Sequence, residues 1–150
     1  MSENKAVAVV DITALVHYMD KVGEIASVNK MMGAVYLRDF IEGQDVAGDL
    51  LARAIQADIK AKARLEEAEA IAYLDKASDF LKDRGLKDTS EARKMYICMD
   101  ENVKSAQEHK AKTEALVMLL KNKLSILRQA HDDLKKILYG DQHLTPYEGM

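Results

Sequence analysis

At 150 residues with one proline and seven glycines, the chain has the length of one domain and few interruptions to helix. Aromatic residues make up 5% and tryptophan is absent, which argues against a β-rich fold and for helices packed through aliphatic stripes of Leu, Met and Ala. Charged residues reach 31% yet leave a formal charge of −3, so no global field gathers nucleic acid or anionic lipid, and any such binding must come from a local patch.

In chain order, the pattern predicts three long amphipathic helices. Asp11 is placed to cap the first, which carries Ile12, Leu15, Met19, Val22, Ala26, Tyr36 and Phe40, with Asn29 and Gly33 in the same three-four rhythm. It is expected over about 11–42, stopped by Gly43. Asp45 or Asp49 then opens a second helix over about 45–84, through Leu50, Leu51, Ala54, Ala61, Leu65, Ala68 and Ala72. Its seam is mostly small residues, so a neighbour can approach closely.

The Gly85-Leu86-Lys87-Asp88 segment breaks the pattern and makes the turn of a helical hairpin, with Asp88 and Glu91 as a capping box for a third helix over about 89–139. That helix keeps a seven-residue repeat: Met99, Val103, Ala106, Lys110, Thr113, Val117, Leu120, Leu124, Leu127, His131, Leu134 and Leu138. Leu116, Leu119, Ile126 and Ile137 add a second apolar stripe, more than one partner helix covers, which predicts self-association. The expected oligomer interface is therefore Leu116, Leu119, Leu120, Leu124, Ile126, Leu127 and Ile137. Residues 141–150, with Pro146 and Gly149, lack periodicity and are expected to form a flexible tail after a single domain over 1–140.

The fold class expected is all-α, with coiled-coil-like packing. No apolar run approaches the roughly 18 residues of a membrane span, and Ala6 to Val10 after Lys5 are too short and weakly basic for a signal peptide. The lone Cys98 excludes an intrachain disulfide, and a cytoplasmic protein is expected.

Residues for catalysis are hard to find. His17, His109, His131 and His143 show no paired ligand spacing, and Cys98 has no neighbouring Cys or His, so no metal site and no cofactor are expected. Phosphate-cradling glycine loops and a nucleophile elbow are missing as well. Carboxylate pairs at Glu66 and Glu67, Asp100 and Glu101, and Asp132 and Asp133 sit among basic residues three or four places away, as on solvated helix faces. The chain is not expected to be an enzyme. Arg53, Lys60 and Arg64 are spaced by seven and four and share one strip of the second helix, with Lys62 on the opposite side. The strip either tracks phosphates or is an ordinary charged face, since Glu66, Glu67 and Glu69 follow at once.

From the end of the second helix onward, about 90 residues resemble the UvsY-like recombination mediator proteins of tailed phages. The likeness rests on Arg84-Gly85, a polar turn, Ser90-Glu91 with Arg93 or Lys94, then Asp100, Asn102 and Val103, and an unbroken helix through Leu116, Leu120, Leu124 and Leu127 to Arg128 and Lys135. Lys62-Ala63-Arg64-Leu65 matches the stretch with which family members contact single-stranded DNA. The resemblance implies a small all-helical homo-oligomer, in a ring, that helps load a recombinase on single-stranded DNA coated with single-strand-binding protein, in the host cytoplasm if phage-encoded. On this reading Lys62 and Arg64 of the tetrapeptide, with Arg53 and Lys60 of the periodic strip, contact phosphates. The other reading of the same heptads is a structural or adaptor coiled-coil protein acting only through protein contacts.

Overall fold

The computed structural model describes residues 10–143, and every regular element among them is helical. The apolar run over 6–9 and residues 144–150 lie outside the described residues, while 141–143, the first three residues of the tail expected over 141–150, continue the last helix. Helix α1 (Thr13–Val22) leads through a 3-10 turn (Ile25–Ser27) to α2 (Lys30–Ile71). A π turn (Ala72–Lys76) and α3 (Ala77–Asp83) follow, then α4 (Ser90–Met99) and α5 (Glu101–His143). They build two compact units, one from Met1–Arg53 with Met118–Met150, the other from Ala54–Val117.

The helix expected over 11–42 is two helices. Beyond Gly23 the chain turns through the 3-10 segment into extended Val28. Asn29 then accepts the Met32 amide on its side-chain oxygen at 3.0 Å. That bond makes Asn29 the start of α2, where periodicity alone had placed it inside a longer helix. Gly43, expected to stop a helix, lies within α2, as do Asp45 and Asp49, expected to start one.

Gly43 is buried because Tyr18 of α1 crosses it. A Cβ there would stand 2.9 Å from Tyr18 Cγ and 3.0 Å from Tyr18 Cβ, the stiff root of the side chain and not its mobile end. Gly43→Ala is therefore expected to cost about 1–2 kcal/mol, because overpacking outweighs the helix propensity that alanine brings. A urea melt showing stabilisation would mean that Tyr18 moves freely.

In the first unit α1, α2 and α5 share a core of Leu15, Tyr36, Phe40, Leu50, Leu120, Leu127, Leu134 and Leu138. The N-terminal helix is tied to α2 by an ion pair between Lys21 and Asp39, and the link that follows it by the Tyr36 hydroxyl, which donates to Glu24 at 2.5 Å. Both α2 and α5 are long, and here they run antiparallel, with Gly33 against Leu138 and Gly48 in one groove with Leu124.

In the second unit the α2 seam is alanine, with Ala54 and Ala61 buried, as the small-residue pattern implied. Across it Thr113, a polar residue on the heptad seam, donates its hydroxyl to Asp58 at 2.8 Å, sharing it with the Lys110 carbonyl at 2.9 Å. The hairpin turn closes with Gly85 at φ +65 and a bond from the Leu86 amide to the Leu81 carbonyl at 2.9 Å, a left-handed helix stop that glycine adopts without strain. Thr89, and not Asp88, caps α4, accepting the Ala92 amide at 3.1 Å. The helix expected over 89–139 is likewise two, divided at Asp100, whose backbone is extended.

Candidate nucleic-acid interface

The four cations expected to contact phosphate all lie on α2, and all are exposed. Arg53 ends the first unit's stretch of α2, and Lys60, Lys62 and Arg64 belong to the second unit. Lys60 and Arg64 are one turn apart on the same side of the helix, whereas Lys62 projects from the other flank. Among the described residues none of the four takes part in an ion pair or a side-chain hydrogen bond, so their charge is available to a ligand. Glu66 and Glu67 beside them are exposed too and reduce the local potential.

Three motif residues of the resemblance, Arg84, Arg93 and Asp100, have structural work in the second unit. Arg84 ends α3 and lays its guanidinium over the Phe80 ring at 4.5 Å. Arg93 grips Asp88 with two nitrogens at 2.7 and 2.8 Å, donates to the Tyr73 carbonyl at 3.1 Å and stands 5.4 Å from the Tyr73 ring centre. That grip holds the Asp88 carboxyl below the ordinary aspartate range and raises Arg93.

Asp100 opens α5, accepting the Val103 amide at 3.0 Å and the Tyr96 hydroxyl at 3.0 Å, and forms an ion pair with the Lys76 ammonium at 3.5 Å. Burial pushes its pKa up, but the Val103 and Asn102 amides, Tyr96 and Lys76 together outweigh burial and leave it below the usual value. Lys76 stands in the π turn, so this carboxylate joins three segments. The helix start at Asp100 falls inside the single helix expected over 89–139, and its link to Lys76, 24 positions earlier, carries no local sequence signal.

The expected oligomer interface divides. Leu120 and Leu127 have no exposed surface within the single chain, so they belong to its own core and are withdrawn from the interface. Leu116, Leu124 and Ile126 are half-buried, while Leu119 and Ile137 are exposed at 37% and 61%. Part of the surplus stripe is shared with the N-terminal segment. Leu119 lines a cleft with Ile12, Val16 and Met19, and Ile137 lines another with Val22 and Ile25. A surplus that sequence periodicity assigns to a second copy is thus covered in part from within the chain.

Among the described residues, no group of three His, Cys, Asp or Glu side chains is placed to hold a metal ion, and no helix is long and apolar enough to cross a membrane. The fold and the exposed cations define an all-helical protein with a candidate polyanion surface on α2. No family model, curated protein or solved structure matches the chain.

Proposed function

We propose that the chain is a single-stranded-DNA-binding recombination mediator, a homo-oligomeric ring that helps a recombinase load on DNA coated with single-strand-binding protein. The observation that carries this reading is the set of exposed cations Arg53, Lys60, Lys62 and Arg64, none of them in an ion pair among the described residues, and two of them standing in the tetrapeptide that resembles the DNA-contacting stretch of the UvsY-like family. The mediator works without a cofactor and without catalysis of its own. Repetition around a ring multiplies a weak strip, which lets an acidic chain hold a polyanion by multivalency.

A second reading, a structural or adaptor protein, draws on Arg84, Arg93 and Asp100 of the family-like segment, whose contacts here are internal. Fluorescence anisotropy with a labelled single-stranded oligonucleotide separates the two. Binding is expected to be sequence-tolerant and to weaken steeply with salt, each phosphate contact adding roughly −0.7 to the slope of log K against log salt. Lys60→Ala with Arg64→Ala should flatten that slope by about 1.4 per engaged subunit, at two contacts of that size each. Wild-type protein that ignores the oligonucleotide at low salt leaves the adaptor reading in place.

A further inference from the structure

In the first unit a groove carries carboxylates on one wall and cations on the other, with Arg38, paired with Glu42, seven residues before Asp45, and Asp132, paired with His131, between Arg128 and Lys135. The groove, between α2 and α5, is lined by Gln44, Asp45, Gly48, Asp49, Leu124 and Arg128. On the α2 side Ile41, Asp45, Gly48 and Ala52 recur by four, three and four, which sets them in one stripe. Ile41 is 49% exposed, and a side chain built at Gly48 would meet nothing within 4 Å, so the stripe is open to close approach by another helix.

On the α5 side Lys121, Arg128 and Lys135 recur every seven residues and are all exposed. Among the described residues, neither these cations nor Asp45 and Asp49 form an ion pair, although Arg128 and both carboxylates border one groove. One copy of the chain therefore presents an acidic row and a basic row side by side, with Leu124, Ile41 and Gly48 between and beside them.

We propose that this α2–α5 face docks a second copy of the same chain about a two-fold axis running along the groove. Such an axis sets α2 of each copy over α5 of the other while keeping every residue at its own level along the groove. Because α2 and α5 are antiparallel here, each helix then has only antiparallel neighbours, as in an up-down four-helix arrangement. The level of Gly48 is that of Leu124. Asp45 of one copy thus meets the turn that carries Arg128 in the other, and Asp49 meets the turn that carries Lys121. Charge complementarity selects this occupant: the acidic partner that the basic row requires is displayed by the chain itself. The proposal rests on the self-association in the reading above and is independent of DNA binding.

The test is sedimentation and light scattering of the whole chain with two charge reversals, Lys121→Glu with Arg128→Glu, and Asp45→Lys with Asp49→Lys. Each variant by itself faces like charge with like charge across both halves of the contact and is expected to associate about tenfold more weakly or worse. Mixed in equal amounts, the two regain opposite charges at both halves and should recover the wild-type mass. Wild-type association should also weaken as salt screens the rows. A monomeric wild type at low salt overturns the proposal and the self-association with it. Variants that assemble like wild type, or a mixture that does not recover, overturn this face while leaving self-association through another. Were either variant to lose its circular dichroism signal, the salt series decides: wild-type assembly unchanged from low to high salt rejects the ion-paired contact.

Discussion

Leu127→Ala is expected to cost about 2–5 kcal/mol, the largest loss of any single aliphatic truncation on α5, and Leu120→Ala and Leu134→Ala should fall in the same range. All three side chains have no exposed surface, and they recur every seven residues on the side of α5 turned to the core of the first unit. Truncation there removes buried methyl groups and leaves a cavity that helices fixed along their length cannot easily close. Ile137→Ala, one turn from Leu134 but 61% exposed, should cost well under about 1 kcal/mol in the isolated chain. Chemical unfolding of the monomer at low protein concentration measures the contrast directly. Equal losses at Leu127 and Ile137 in the monomer would mean that Ile137 is buried within the chain itself.

That contrast shows what the sequence made legible. The heptad seam of α5 could be read because its buried positions, Val103, Thr113, Leu120, Leu127, Leu134 and Leu138, repeat with the helix period, and periodicity reports which side is covered. It does not report what covers it. Nor does it report how much of the stripe of Leu119 and Ile137 stays open, because the short α1 that borders part of it is a weak local signal, ten residues ended by Gly23.

Glycine misled in both directions for the same reason. Gly43 is small because Tyr18 presses on it, a tertiary cause, while the helix break at 23–29 depends on Asn29 capping α2 through a side-chain bond that spacing alone cannot foresee. The exposed cations of α2 were visible as residue types. Whether an exposed cation is engaged depends on partners elsewhere in the chain, which is why Arg93, committed to Asp88 and Tyr73, and Arg64, with none among the described residues, look alike in sequence.

Asp100→Ala is expected to be the most damaging polar substitution, because one carboxylate caps α5, receives the Tyr96 hydroxyl and pairs with Lys76 of the π turn. Loss of the cap alone costs about 1 kcal/mol, and leaving a part-buried hydroxyl unpartnered adds about 1–3 kcal/mol. Lys76 is 38% exposed on its side chain and turns to water when the carboxylate goes, so its share is small. Asp100→Asn keeps the capping oxygen and should lose less, near 1 kcal/mol. The same group gives the fold a defined acid sensitivity. Its pKa in the folded chain lies below the unfolded value of 3.8. The stability it contributes is therefore complete above that value and is lost as pH falls through the lower folded value. Urea midpoints of the wild type should hold steady from neutral pH down to the unfolded value and then drop, with Asp88, lowered by Arg93, adding to the same fall. In Asp100→Asn the midpoint should start lower and drop less across that acid range. Parallel pH profiles for wild type and Asp100→Asn would show that the carboxylate has no net preference for the folded chain, and the junction of π turn, α4 and α5 would then be held by packing alone.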